Sequence, residues 1–219
     1  MKIKVQLSSP KSQITLPIHY NHILKGFITA NLIERGAPLT FSNIFGQKRV
    51  INRKIIFKSP CHFYLSTVEP TALKGAPLEL LNLGKNSVKV ERIEVVPESP
   101  EGAPVKLKTL SPITVFQKLL NGKTFYFSPE DDEFYALIRE DLTQKVKKFL
   151  GREVGEVEIK PAEDSVFKKA VIQYRNRFVI EAWKGVFELQ GPKEAIEAAL
   201  KLGLGYRNPQ GFGMVAISG

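Results

Sequence analysis

Cysteine is nearly absent: Cys61 is the only one in 219 residues. One thiol can form neither an internal disulfide nor a Cys-x-x-Cys redox or zinc site. No His/Asp/Glu cluster has metal-ligand spacing, so no metal is called for and a two-metal nuclease is unsupported. A Ser-His-Asp or Cys-His hydrolase is equally unsupported, because Cys61 beside Pro60 has no recognisable nucleophile context. Long apolar runs are missing too. No stretch approaches 18 uninterrupted apolar residues and the N-terminus has no signal-peptide core, so a soluble, cytoplasmic chain is expected, with no membrane partner. Acidic residues are scarce in one region only. Residues 1–68 hold a single acid, Glu34, against ten bases, a balance of +9.

What is present is ordinary globular composition, 43% hydrophobic and 25% charged, which excludes wholesale disorder. The length allows one large domain or two of about 100 residues, each able to bury a core without disulfides or metal. The net charge is +10. Residues 69–108 are balanced, six bases against six acids, and residues 109–219 carry sixteen against fifteen. Nearly all the excess therefore sits in the first third. That asymmetry suggests a polyanion docking on the N-terminal part, with a solubility device as the alternative. No lysine-rich amphipathic helix points to an anionic membrane.

The same order of elements reads twice. Lys2–Leu7 alternates apolar Ile3, Val5 and Leu7 with polar residues, as a half-buried strand does. Pro17 opens a helical stretch to about Arg35, with Leu24, Phe27, Ile28 and Leu32 at helical spacing. Arg53–Lys58 and His62–Thr67 read as strands, a helix is expected near Thr71–Leu83, and Ser87–Val96 as a strand closes the half. Pro97–Pro104 has linker composition. The second half offers an extended Val105–Phe116, a helix Pro129–Leu150, strands in Glu156–Lys160 and Ala170–Leu189 with a hairpin turn at Arg175-Asn176, a helix Pro192–Leu202 and a strand Phe212–Ile217. Two βαββαβ halves predict an α+β protein of tandem ferredoxin-like, RRM-like domains, residues 1–100 and 105–219. If the polar sides of the first strands share the open sheet face, Lys2, Lys4, Lys54 and Lys58 line it. Phe41, Phe45, Phe57, Phe63 and Tyr64 interleave with the bases; most are expected in the core, and Phe63 and Tyr64 cannot both point outward.

The densest motif is Gly203-Leu-Gly205-Tyr-Arg-Asn-Pro-Gln-Gly211-Phe-Gly213, which joins a helix to a closing strand. Glycines let backbone approach a ligand, so successive amides could form an anion-binding nest, with Arg207, Asn208 and Gln210 as further donors. It is neither a Walker A loop nor a dinucleotide fingerprint.

This loop resembles the C-terminal signature G-h-G-x5-G-h-G of the RAMP superfamily of CRISPR-associated proteins. Leu16-Pro-Ile-His-Tyr-Asn-His-Ile-Leu-Lys-Gly-Phe-Ile28 is similar to the opening of its CRISPR-repeat endoribonucleases, and Leu110-Ser-Pro-Ile113 to the start of their second domain. The resemblance implies two ferredoxin-like domains that bind the repeat of precursor CRISPR RNA. It also implies metal-independent cleavage, in which a ribose 2′-OH attacks the adjacent phosphate and leaves a 2′,3′-cyclic phosphate and a 5′-OH. Well-known members use a first-helix tyrosine, a loop histidine and a lysine soon after. Here Thr29 fills the tyrosine position, Gly36–Val50 holds no histidine, with Ser42 or Asn43 nearest, and Lys48 matches the lysine. His22, Lys25 and Thr29 share a helix face, so His22 is a candidate for proton transfer beside a structural reading. His19 and His62 read as structural or surface residues.

The resulting expectation is a divergent metal-independent endoribonuclease that needs no cofactor, with Lys48, His22 and Thr29 as catalytic candidates. Lys25, Arg49, Arg53, Lys54, Gly203, Gly205, Arg207, Asn208, Gln210, Gly211 and Gly213 are the candidate RNA contacts. The alternatives are a non-catalytic paralogue that binds the repeat, or a structural RAMP subunit of an interference ribonucleoprotein. Other CRISPR-associated proteins and a second copy of the chain are compatible partners, and the balanced 69–108 segment would suit a protein contact.

Overall fold

The computed structural model describes residues 1–100, 104–175 and 177–218. The first half contains β1 (Lys2–Ser8), β2 (Gln13–Pro17), α1 (Asn21–Asn31), β3 (Thr40–Phe41), β4 (Lys48–Ile51), β5 (Lys54–Lys58), β6 (Cys61–Ser66), β7 (Leu81–Leu83) and β8 (Asn86–Val95). In β1 the period of two puts Ile3, Val5 and Leu7 in the core and Lys4 and Gln6 on the other face. The main sheet is antiparallel in the order β3-β6-β1-β8-β7. Without the edge strand β7, this is the 2-3-1-4 order of a ferredoxin-like fold. The helix α1 buries Leu24, Phe27 and Ile28 against the sheet.

Three expectations for this half need correction. Pro17 does not open a helix; it ends β2, paired with Lys54, and α1 starts four residues later behind Tyr20. The second helix is missing: Pro70–Ala72 makes one 3-10 turn, and Gly75 and Pro77 stop any extension before β7. The strand β5 is not part of the main sheet. It lies between β2 and β4 in a separate three-stranded sheet, and the short β3 takes the second-strand position. The expected four-lysine face therefore does not exist. Lys54 and Lys58 sit on that other sheet, and Lys2 is buried, bonded to the Val215 carbonyl at 2.8 Å and ion-paired with Glu98.

The second half runs β9 (Val105–Thr109), β10 (Phe116–Lys118), β11 (Thr124–Tyr126), α2 (Asp132–Leu150), β12 (Glu158–Pro161), β13 (Lys168–Tyr174), β14 (Phe178–Lys184), β15 (Val186–Gln190), α3 (Lys193–Leu202) and β16 (Val215–Ile217). Its sheet, β12-β15-β9-β16, again has the 2-3-1-4 order, so two ferredoxin-like units stand in tandem. The helix α2 buries Phe134, Ile138, Leu142 and Val146 at four-residue spacing and ends at Gly151 in the left-handed region. Two hairpins, β10–β11 and β13–β14, are additions to the basic unit. Of the sequence expectations, Asn176 in the hairpin turn and residues 101–103 of the linker lie outside the described residues.

The two units are stitched by polar bonds as well as by packing. Besides Lys2 to Val215, Asn21 Nδ2 donates to the Gly211 carbonyl at 3.2 Å and the Asn43 amide to that of Leu110 at 3.2 Å. Thr40 Oγ1 donates to the Phe212 carbonyl and Ser66 Oγ to that of Leu200, both at 3.4 Å. The start of α1 thereby abuts the glycine-rich loop. No described helix is long and apolar enough to cross a membrane.

Candidate nucleic-acid interface

Of the ten bases in residues 1–68, Lys2 alone is ion-paired among the described residues. Lys4, Lys11, Lys25, Arg35, Lys48, Arg49, Arg53, Lys54 and Lys58 have no carboxylate partner among the described residues. Five of them belong to the β4–β5 hairpin and its turn. Register then sorts them. Lys48 pairs with Phe57 and Arg49 with Ile56, so Arg49, Lys54 and Lys58 share the outer face and Lys48 points to the side where Phe57 is buried. A shallow depression of about 330 Å³ is lined by Gln47, Lys48, Arg49 and Lys58. Unpaired cations at this density, exposed on one small sheet, fit the spaced charges of a phosphate backbone.

The β13–β14 hairpin extends this field from the second unit. At its base, Lys184 is held below the usual lysine range, first by burial and then by repulsion from Lys48. At its tip, the Tyr174 ring meets the His22 ring edge-on with centroids 6.0 Å apart. Base and tip are six residues apart along the strand, about 20 Å. The expected catalytic candidates are thus divided, Lys48 at one end of the hairpin and His22 at the other.

Thr29 is not a free hydroxyl. Its Oγ1 donates to the Lys25 carbonyl at 3.0 Å, the back-bond that threonine makes inside a helix, which removes it as a general base. Ser42, one of the residues nearest the missing loop histidine, is buried, its hydroxyl donating to Asn43 O and accepting from the Tyr64 amide. His62 stacks on Phe45 at 5.7 Å and meets Tyr64 edge-on at 5.5 Å, so it belongs to an aromatic cluster on the open sheet face. Phe63, its neighbour, points into the core as the alternation requires.

The glycine-rich loop is not an anion nest. Gly203, Gly205, Gly211 and Gly213 are all buried. The amides of Leu204, Tyr206, Gln210, Gly211 and Gly213 all donate to protein carbonyls. Steric need explains the glycines: a Cβ on Gly213 would lie 1.9 Å from the Leu204 carbonyl oxygen, at φ +72°. Asn208 is a brace, its Nδ2 donating to the carbonyls of Leu204 and Phe212, both at 3.2 Å. A buried ammonium clamps the loop from below. Lys145 Nζ, paired with Asp141, donates to Gly203 O at 3.0 Å and Gly205 O at 2.9 Å. Burial pushes Lys145 below the usual lysine range and Asp141 above the usual carboxylate range. Of the proposed RNA contacts in this loop, Arg207 and Gln210 alone keep side chains at the surface, hydrogen-bonded to each other at 3.3 Å.

Arg207 also lies over the Phe116 ring, 4.7 Å from its centroid. Its Nε, His22 Nδ1 and the Tyr174 hydroxyl are buried without hydrogen-bond partners. The sequence pattern does not single out Tyr174 and Lys184, and it marks Arg175 only as a turn residue. Only the hairpin itself is visible there, and nothing in its composition says that its tip docks on α1. No group of three or more His, Cys, Asp or Glu that could hold a metal ion occurs among the described residues.

Residues 96–217, more than half of the chain, match the family described as CRISPR associated protein Cas6, C-terminal. The chain belongs to the Cas6 family. It is 28% identical over 163 residues to a CRISPR-associated endoribonuclease Cas6 of Pyrococcus furiosus, covering 72% of this chain and 60% of that protein. A second relative, CRISPR-associated endoribonuclease Cas6 1 of Methanocaldococcus jannaschii, is 25% identical over 193 residues, 80% of this chain and 72% of its own length. Among solved structures, a RAMP protein described as binding different RNA substrates superimposes with a TM-score of 0.83 at 22% identity, covering all of both chains. The tandem arrangement is thus the Cas6/RAMP fold, and the Cas6 match covers the second unit, including the glycine-rich loop and the hairpin.

Proposed function

We propose that the protein binds CRISPR repeat RNA and processes precursor CRISPR RNA in the cytoplasm as a metal-independent endoribonuclease. The observation that carries this reading is the set of nine cations in residues 1–68 that have no carboxylate partner among the described residues, in a chain of the Cas6 family. Single-stranded or looped RNA offers phosphates at spacings that such a surface tracks. Lys48, Arg49, Arg53 and Lys54 contact the RNA backbone, and Lys184 extends the track across to the second unit. The names of the two relatives support endonuclease activity, and internal transesterification by the 2′-OH needs no metal. It needs a base for the 2′-OH, an acid for the 5′-oxygen and a cation on the phosphorane.

The test incubates the protein with labelled repeat RNA in EDTA, with and without a 2′-deoxy sugar at the cut position. Cleavage that the deoxy sugar blocks is the expected result. Binding no tighter to repeat RNA than to random RNA of equal length would overturn the reading. A second reading, a repeat-binding paralogue without catalysis, is favoured by one observation: Thr29 stands where the resemblance puts a tyrosine, and its hydroxyl is tied to its own helix. Tight binding with no cleavage selects it.

A further inference from the structure

The free edge of β2, in the small three-stranded sheet, opens into a cavity. The bonds from Ser59 N–H to Ser12 O and from Ile18 N–H to Arg53 O turn the even-numbered residues of this strand towards β5. The backbone of Gln13, Thr15 and Pro17 therefore faces the other way, towards the start of β8. There the Asn86 carboxamide takes both groups of Thr15, accepting from its N–H at 2.9 Å and donating to its C=O at 2.8 Å. A free strand edge invites an added strand. Asn86 plugs the middle of this one, so a peptide cannot pair along it. Beside the plug lies a cavity of about 580 Å³. That volume falls within the roughly 300–1,000 Å³ of small-ligand sites.

The walls offer three kinds of surface. Leu16, Pro17 and Ile23 supply apolar contact, and the turn between β7 and β8 closes over them. Gly84 in that turn has φ +63°, and a Cβ there would stand 3.3 Å from Ile23 Cγ2, so the turn lies close on α1. Gln13 is exposed and brings a carboxamide, both donor and acceptor. Lys11, Lys54 and Lys85 complete the lining, exposed and without a carboxylate partner among the described residues. Three ammonium groups thus come to one opening from three segments: the lead into β2, β5 and the β7–β8 turn. An apolar wall, a hydrogen-bonding edge and unpaired cations suit a planar ring with a polar rim and attached phosphates. The cavity also adjoins the cation field. Lys54 belongs to both, and Gln13 borders the 330 Å³ depression beside Lys48, Arg49 and Lys58 as well.

We propose that this cavity is a single-nucleotide subsite, which takes one unstacked base of a bound RNA strand against Leu16, Pro17 and Ile23, with the flanking phosphates on Lys11, Lys54 and Lys85. The proposal rests on the RNA-binding part of the reading above and on none of its chemistry. Every lining residue belongs to the first unit, so the contact lies apart from the seam where the glycine-rich loop meets α1. Gln13 reads the edge of the base, because phosphate contacts position a strand without reading its sequence.

The experiment measures equilibrium binding of labelled repeat RNA, with the 2′-deoxy sugar at its cut position, to the full chain. Single abasic nucleotides are placed at each position in turn, which keeps the phosphates and removes one base. Wild type is expected to show a position where base loss weakens binding about tenfold, the scale of one bound base. Two variants should abolish that penalty: Lys11→Glu with Lys85→Glu, both exposed outside strands and helices, and Thr15→Phe, which fills the cavity without altering charge. Lys106→Glu with Lys160→Glu, the same charge change on the second unit, should keep it. A penalty retained by either cavity variant, at an unchanged melting temperature, overturns the proposal. So does a wild type that prefers the repeat yet shows no base-sensitive position. If free nucleoside 5′-monophosphate binds instead, and Lys11→Glu with Lys85→Glu abolishes that binding, the site belongs to a free nucleotide and the RNA assignment falls. Failure of wild type to prefer repeat over random RNA overturns the underlying reading.

Discussion

The two ferredoxin-like units use their charges differently. In the second, Lys106 and Lys160 meet Glu188, Lys145 meets Asp141, Lys147 meets Glu153, Arg152 meets Glu194, Lys169 meets Glu181, and Lys193 and Lys201 meet Glu197. In the first unit's opening 68 residues Lys2 alone is paired among the described residues, and its role is to tie the units together. The unpaired cations of the second unit include Lys168, Arg175, Arg177 and Lys184, all on the hairpin that faces the first. Eight of the second unit's cations are thus tied to carboxylates, whereas among the described residues only one of the ten in residues 1–68 is, and the rest are left available to a polyanion. Self-repulsion is the cost of the second use, and a bound phosphate chain offsets it.

Substitutions can break or sharpen this contrast. The largest effect is expected from Gly213→Ala, where the new Cβ meets the Leu204 carbonyl at a positive φ. A loss of roughly 4 kcal/mol or more follows, read as a collapse of the denaturant midpoint. Lys145→Met comes next. It leaves Asp141 and two glycine carbonyls buried without their ammonium, so about 3 kcal/mol of stability is lost, measured by urea unfolding. By contrast the fourfold variant Lys48→Ala, Arg49→Ala, Arg53→Ala, Lys54→Ala should change stability by no more than about 0.5 kcal/mol per site while weakening RNA binding strongly.

Cys61 reports whether the cation field reaches inward. A thiol beside cations titrates low, yet burial pushes this one up to about 12. A raised folded pKa means that its contribution to stability is lost only as pH rises towards that value. Native protein at pH 8 should therefore resist alkylation and react only on unfolding. The smallest effect belongs to the second unit's surface. Glu197 sits below the usual carboxylate range through its bond to Lys201, so its contribution is present above the ordinary glutamate pKa and lost as pH falls through the lowered one. Glu197→Gln should cost about 0.3 kcal/mol at pH 7, and less in acid, by thermal melts.

The repeated fold was legible because Ile3, Val5 and Leu7 alternate and Phe134, Ile138, Leu142 and Val146 recur every four residues, patterns that survive without tertiary knowledge. The position of β5 was not. Its alternation fits any sheet, and only the pairing of β2 with β5 decides which one. The glycine-rich loop was visible as a motif but misread as a ligand nest, since the carbonyls that accept its amides come from distant residues such as Pro112 and Thr114. The charge asymmetry was fully legible. The Tyr174–His22 meeting joins positions 152 residues apart on an added hairpin, and no local pattern reports it.

The contrast between the two charge populations is tested most directly by the salt dependence of repeat RNA binding. Removing Lys48, Arg49, Arg53 and Lys54 should lower the slope of log K against log salt by about 3, near 0.7 for each phosphate no longer neutralised. Removing the paired Lys106, Lys160 and Lys193 should leave that slope unchanged. Equal decreases from the two sets would contradict the account, because the charge would then act through its total and not through its unpaired location.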